Sequence, residues 1–170
     1  GADVTLVHRD KLGFAGIREI FAESAADMTD AVLSELEKGY HALISSAAIA
    51  DYTAKPSPEK IKSGGELTLR LKPTRKLIKE CRQRYPDLVI IGFKAETGIE
   101  KDELLRRAAS TLKTSKLDLI AANDVAKGGM GTEENELYLL GREKSEPRHV
   151  SGNKRKLAAF ILEEVADLLK

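Results

Sequence analysis

Apolar and polar positions along this chain follow two rhythms, and the change from one to the other marks the elements. Compact apolar runs recur in ADVTLVH, HALISSAAIAD, DLVIIGFKAE and LDLIAANDV. Runs of this length bounded by turn residues predict strands, and their near-continuous apolarity suits a sheet covered on both faces. ELTLRLKP alternates Leu67, Leu69 and Leu71 with polar residues, which predicts a half-exposed strand. The helical rhythm appears in IREIFAESAADMTDAVLSELEKG, where Met28, Val32, Leu33 and Leu36 share a face. Asp27 or Thr29 is its expected cap and Gly39 its expected end. TRKLIKECRQRY predicts a helix opening at Thr74 and stopped by Pro86, and EKDELLRRAASTLKTSK one with acids early and bases late, as the helix dipole favours. NELYLLGR and PRHVSG predict a hairpin, and KRKLAAFILEEVADLLK an amphipathic closing helix.

The order is strand, helix, strand, a strand pair, helix, strand, helix, strand, hairpin, helix. That alternation predicts an α/β fold with a mostly parallel sheet between layers of helices, in a single domain over residues 1–170. Ligands of such sheets bind outside the carboxyl ends of the strands. Three of those ends carry candidate chemistry: residues 45–51, 93–97 and 123–125.

Composition narrows the partners. With 170 residues, 42% of them hydrophobic, the chain can bury one sizeable core. The 28 Lys and Arg nearly balance the 27 Asp and Glu for a net charge of +1, so no basic excess points to nucleic acid. One cysteine, Cys81, excludes an internal disulfide and suits a reducing compartment. No apolar run approaches the roughly 20 residues that span a bilayer, and no secretory signal is visible, so a soluble, cytoplasmic protein is expected. The chain opens directly on its first strand without an initiator methionine or an earlier partner strand, so a fragment is expected.

The densest chemistry lies in LISSAAIADYTAKPSPEKIK, residues 43–62. Small side chains after a strand let a ligand approach the backbone, Asp51 offers an anionic ligand or an orienting acceptor, and Lys60 and Lys62 stand on a loop hinged by Gly64 and Gly65. Together they suit phosphate. The plain alternative is a buried strand end followed by a solvated loop. KPTRKL sets Lys72, Arg75 and Lys76 about a helix start, either an anion cradle or ordinary surface bases. Phe93 stacks on a base or fills the core, and Glu96 binds a metal or caps the next segment. Lys113 and Lys116 share one side of a helix end. Asn123 and Asp124 form an Asx turn or contact a substrate. The three histidines lack zinc spacing. No phosphate loop or dinucleotide fingerprint occurs, and GGMG at 128–131 lacks the setting of either.

ISSAAIADY, EKIKS, GFKAET and LDLIAANDV, in this order and spacing, resemble phosphopantothenoylcysteine synthetase, the ligase module of coenzyme A biosynthesis, across about residues 2–168. KPTRKLI in place of an Asn-Pro-Asp run resembles the archaeal type. The resemblance implies a Rossmann-like three-layer α/β/α fold with a C-terminal hairpin, and a homodimer within a larger fused assembly; the apolar LYLL hairpin is a candidate for the dimer surface. It implies CTP and Mg²⁺, with 4'-phosphopantothenate and L-cysteine as substrates, and neither nucleic acid nor membrane as partner. Ser45, Ser46 and Ala47 are then expected to meet the nucleotide through the backbone. Asp51 binds it through a cation, and Lys60 is the flap lysine acting on the intermediate. Pro73, Thr74, Arg75, Lys76 and Phe93 frame the cytidine, Lys113 and Lys116 stand near the family's paired lysines, and Ala48, Asn123 and Asp124 meet substrate. The family's opening strand, glycine-rich turn and asparagine precede Gly1, so the expectation is CTP binding without a completed reaction. FMN is expected only in a fused decarboxylase domain. A nucleotide-binding domain without catalysis and a Rossmann-like dehydrogenase remain the alternatives.

Overall fold

The computed structural model describes residues 1–170 except 11, 12, 14, 130 and 143–145. Met130, within the glycine-rich stretch at 126–133, therefore lies outside the described residues. The chain divides into two compact units, residues 1–39 with 47–77 and residues 40–46 with 78–170.

In the first unit β1 (Thr5–His8) pairs in parallel with β2 (Arg18–Phe21), and α1 (Ala25–Leu36) follows. The first strand thus has a partner that the sequence pattern concealed: the long helical segment expected over 17–39 is a strand and then a helix. Ser24 makes the break. Its Oγ accepts from the Asp27 N–H at 3.1 Å, and the Asp27 carboxylate accepts from the Ser24 N–H at 3.0 Å, so two of the helix's orphan donors are satisfied. The cap is therefore Ser24 rather than Asp27 or Thr29. Thr29 lies inside the helix, its hydroxyl donating to the Ala25 carbonyl. Later in this unit β4 (Tyr52–Ala54) and β5 (Leu71–Pro73) form an antiparallel pair. The strand expected over 66–73 is confined to its last three residues, and Leu67 and Leu69 are exposed.

The second unit holds a five-stranded sheet in the order β3 (Ala42–Ser45), β6 (Val89–Glu96), β7 (Leu119–Asp124), β8 (Glu134–Gly141), β9 (Arg148–Asn153). β3, β6 and β7 run parallel, and β8 and β9 add the predicted antiparallel hairpin. Alternate side chains leave opposite faces. Ile91, Leu119, Ala121, Leu137 and Leu139 pack against Leu157, Ile161 and Val165 of α4 (Lys154–Leu168), while α3 (Lys101–Thr114), with Leu104 and Ala108 buried, lies against β6, β7 and β8. The result is a Rossmann-like, three-layer α/β arrangement with a mixed sheet. The leucines of LYLL are interior to this sheet, so they offer no free apolar surface. α2 (Leu77–Arg84) begins three residues later than expected, because Thr74 is held otherwise. Cys81 is fully buried, and burial pushes its thiol up to about 11, which leaves it unreactive near neutrality. Among the described residues no helix is long and apolar enough to cross a membrane.

Candidate functional site

Parallel strands bring their carboxyl ends to one edge, and in the second unit that edge gathers much of the expected chemistry. β3 ends at Ser45, opposite Gly92, with Ser46 exposed after it. β6 continues past that point, so Phe93, Lys94, Ala95 and Glu96 run beside Ala121, Ala122, Asn123 and Asp124 of β7 only. With no β3 residue beyond Ser45 to cover it, Phe93 keeps 36% of its surface exposed just after the buried run Ile90–Gly92 of β6. Gly92 lies in close packing: a Cβ there would meet Leu117 Cδ1 at 2.6 Å, so the buried Leu117 side chain would have to shift.

The two polar residues ending β7 are buried and differ in use. Asp124 Oδ1 accepts from the Gly98 N–H at 2.8 Å and the Ala126 N–H at 3.0 Å, pinning the loop before α3 and the loop before β8 to one atom. These backbone donors, Gly98 first, hold its carboxyl below the usual carboxylate range. The contact to Ala126 is the Asx turn that was the plain reading of this pair. Asn123 is tied by its Nδ2 to Asn135 Oδ1 at 3.4 Å, and Asn135 Oδ1 also accepts from the Glu136 N–H at 2.8 Å. Gly129 lies against this amide: a Cβ on it would meet Asn135 Nδ2 at 2.6 Å, and its φ of 99° suits glycine alone. Sequence reasoning missed Asn135 and Gly129, because a contact twelve residues apart becomes visible only with the β7–β8 register.

Glu96 neither caps the next segment nor stands free for a metal. It pairs with Lys94 at 3.1 Å and Arg107 at 3.0 Å, Lys94 lowering its carboxyl most, and Arg107 continues to Glu103. Lys113 and Lys116 lie elsewhere in this unit. α3 leaves the carboxyl edge and returns the chain to the amino end of β7, so both lysines stand at the opposite edge of the sheet from Asn123. Lys116 has a φ of 50°, and its carbonyl accepts from Arg82 Nε at 3.0 Å and Arg142 Nη2 at 2.6 Å.

In the first unit the structure brings Asp51 together with the 73–76 run. Pro73 pairs with Tyr52 at the end of the short ladder. The Thr74 N–H donates to the Asp51 carbonyl at 2.9 Å, and its hydroxyl donates to the Ala50 carbonyl at 2.6 Å. Thr74 therefore does not open a helix with free N–H groups, contrary to the sequence expectation. Lys76 pairs with the exposed Asp51 carboxylate, and Arg75 with Asp30. Ala47 and Ala48 precede this knot in an exposed turn, with the Ile49 N–H donating to the Ala47 carbonyl at 3.0 Å. Lys60 and Lys62 are exposed in the connection between β4 and β5. The cationic loop thus springs from a hairpin whose base is tied to Asp51. Among the described residues no cluster of three His, Cys, Asp or Glu side chains forms a metal cage.

Comparison with known proteins agrees with this architecture. The family model for the DNA/pantothenate metabolism flavoprotein C-terminal domain matches residues 1–169. The coenzyme A biosynthesis bifunctional protein CoaBC of Methanocaldococcus jannaschii is 40% identical over 136 residues, covering 80% of this chain and 33% of that protein. Its namesake from Thermococcus kodakarensis is 37% identical over 175 residues, covering 99% of this chain and 42% of that protein. The chain thus spans well under half the length of these relatives. The crystal structure of the DNA/pantothenate metabolism flavoprotein from Streptococcus pneumoniae shares the fold with a TM-score of 0.82 at 24% identity, over 98% of this chain and 82% of that one. Because the family model covers nearly its whole length, this chain belongs to the DNA/pantothenate metabolism flavoprotein C-terminal domain family.

Proposed function

We propose that the chain is part of a phosphopantothenate–cysteine ligase that activates its acid with CTP, of the archaeal type and in a cytoplasmic homodimer. The observation that supports this most is the family match over residues 1–169. The relatives whose names cite coenzyme A biosynthesis supply the pathway. In this reading the carboxylate of 4'-phosphopantothenate attacks the α-phosphorus of CTP. The bond to the bridging oxygen breaks, and pyrophosphate leaves. The amine of L-cysteine then attacks the acyl carbon, and CMP leaves with the electron pair of the broken acyl–oxygen bond.

The difficulty in the first step is charge, because a carboxylate must approach a polyanion. Cations fixed where charge moves lower that barrier. Lys60 supplies one such charge from its glycine-hinged loop, and Lys76, paired with Asp51, supplies another, while Arg75 pairs with Asp30. Asp51 suits a Mg²⁺ that arrives on the triphosphate, since such an ion commonly takes one or two carboxylates plus phosphate oxygens and water rather than a protein-only cage. Mg²⁺ held there would neutralise phosphate charge. Ser45 and Ser46 offer backbone and hydroxyl contacts, Ala47 and Ala48 an uncrowded backbone, and Phe93 an aromatic face. Pro73 and Thr74 hold the hairpin base, while Asp124 positions the rim loops about Asn123. Lys113 and Lys116 stand outside this proposal because they occupy the far edge of the sheet.

The test is pyrophosphate release from labelled CTP in the presence of Mg²⁺. Release that depends on phosphopantothenate is expected, and Lys60→Ala should slow it about 100-fold or more while the circular dichroism spectrum stays unchanged. Acid-independent release, or an undiminished rate in the variant, would overturn the assignment.

A further inference from the structure

The segment ELTLRLK carries a strand pattern that the single chain leaves unused. Leu67, Leu69 and Leu71 alternate with Glu66, Thr68, Arg70 and Lys72, yet β5 holds only Leu71–Pro73, and residues 66–70 belong to no strand. β4 and β5 are three residues each. A two-stranded ribbon that short is marginal in water, and further strands are what make such a sheet stable. β4 occupies one edge of β5, and among the described residues the other edge has no partner strand.

The side chains of this ribbon sort by polarity. Tyr52 lies opposite Pro73 and Ala54 opposite Leu71, and residues opposite each other in a ladder share a face. A strand continued back from β5 therefore sets Tyr52, Ala54, Leu67, Leu69 and Leu71 on one face and Glu66, Thr68, Arg70 and Lys72 on the other. Tyr52 and the three leucines are each more than half exposed. Apolar side chains gathered in this way mark an interaction surface.

The sequence of the segment identifies its partner. Set antiparallel against its own copy about a two-fold axis at Leu69, it matches at every position. Leu69 then faces the partner's Leu69, Leu67 the partner's Leu71, Glu66 the partner's Lys72 and Thr68 the partner's Arg70. Moving the axis to Arg70 sets two arginines against each other, and moving it to Thr68 leaves Leu71 opposite Gly65. A slip of one residue faces each leucine with a polar side chain. A parallel pairing in register sets Glu66, Arg70 and Lys72 each against its like charge. Opposite charges support a ladder and like charges weaken it. Complementarity to itself is the condition for a contact between identical subunits about a two-fold axis.

We infer that two copies of this chain join by adding residues 66–72 of each to the free edge of the other, in the register centred on Leu69, so that two ribbons become one four-stranded sheet. The inference rests on the homodimer in the function proposed above and names the surface that forms it. β4 and β5 are the two ends of the loop that bears Lys60 and Lys62, so the joined sheet holds the base of that loop in both copies.

Sedimentation equilibrium at micromolar concentration should give the wild type twice the 18.6 kDa mass of the chain. Leu69→Lys brings two ammonium groups together at the axis and should weaken the dimer about 100-fold or more. Glu66→Lys should weaken it about tenfold, and adding Lys72→Glu should restore it to within about threefold. With oxidised glutathione as the oxidant, Leu69→Cys should give a disulfide-linked dimer, because residues opposite each other in a ladder lie within disulfide reach. Thr68→Cys, on the other face and displaced from its counterpart, should not, and the buried Cys81 does not compete. A wild-type dimer that survives Leu69→Lys, or that fails to cross-link through Leu69→Cys, would overturn the inference alone. Should Leu69→Lys not fold, as circular dichroism would show, the cross-link and the charge exchange decide. A monomeric wild type would overturn the inference together with the homodimer, while the ligase reading keeps its separate test in pyrophosphate release.

Discussion

β7 carries an aspartate at each end, and the two ends are built in opposite ways. Before its first residue, Asp118 spends both oxygens. Oδ2 accepts from Arg82 Nη2 at 2.6 Å and the Ile90 N–H at 2.8 Å, and Oδ1 lies 3.2 Å from Arg142 Nη2. The same two arginines hold the carbonyls of Lys116, Leu117 and Pro86. At the carboxyl end Asp124 holds two loops through backbone N–H groups, and its neighbour Asn123 keeps an oxygen uncommitted. The amino end is closed and charge-compensated, as a structural clamp is. The carboxyl end is organised but has an acceptor to spare. Two acidic strand ends that look alike in sequence thus divide into a fastening and a candidate site.

The largest effect that would sharpen this contrast is expected from Asp118→Ala. It leaves the mostly buried Arg82 guanidinium without its carboxylate and the Ile90 N–H without its acceptor. Stability should fall by about 3 kcal/mol in urea denaturation, with nucleotide affinity of the folded fraction unchanged. A loss of a few tenths would break the comparison. Gly129→Ala should come next, at about 2 kcal/mol, because the new Cβ meets the Asn135 amide and the backbone sits at φ 99°. Unlike Asp118→Ala, it should act at the carboxyl edge, since it displaces the Asn135 amide to which Asn123 donates.

Asp124→Asn is expected to lower stability modestly at neutral pH, as a charged acceptor becomes a neutral one. The backbone donors depress the folded pKa of Asp124, so its contribution is fully present above the unfolded value near 3.9 and disappears as pH falls through the lower folded value. The gap between wild type and variant should therefore close below about pH 4 in denaturation series run across pH. A gap that widens on acidification would reverse the assignment.

These elements were unequally legible in the sequence. β6, β7 and α3 were readable because long apolar runs and a clean 3.6-residue period leave little ambiguity, and their parallel order already pointed to one edge. The segment around Arg18 was not, since Ile17, Ile20 and Phe21 blend into the apolar stripe of α1 and only the Ser24 cap separates them. Leu67 and Leu69 show a strand's alternation, but the ladder with Tyr52, Thr53 and Ala54 reaches only residues 71–73. Thr74 read as a helix start because its commitments to Ala50 and Asp51 cross 24 and 23 residues of chain. The hydrogen bond from Asn123 to Asn135 depends likewise on the β7–β8 register, which no local pattern records.

The smallest expected effect bears most directly on which edge of the sheet holds a ligand. Lys116 adopts φ 50°, a conformation that costs an ordinary side chain about 1 kcal/mol. Glycine would relieve that cost but lose a comparable amount in unfolded-chain entropy, so Lys116→Gly should alter stability by only about 0.5 kcal/mol. The arginine contacts use the Lys116 carbonyl rather than its side chain, so the clamp should survive the change. Lys113 belongs to the last turn of α3 at the same edge and is exposed. If the ligand sits at the carboxyl edge, a double variant with Lys113→Ala and Lys116→Gly should hold CTP within about twofold of wild type, since exposed charges more than a Debye length away are largely screened at physiological salt. A tenfold loss measured beside an intact stability curve would mean that the amino end also serves the nucleotide. The division between fastening and site would then fail at the residues where it is easiest to test.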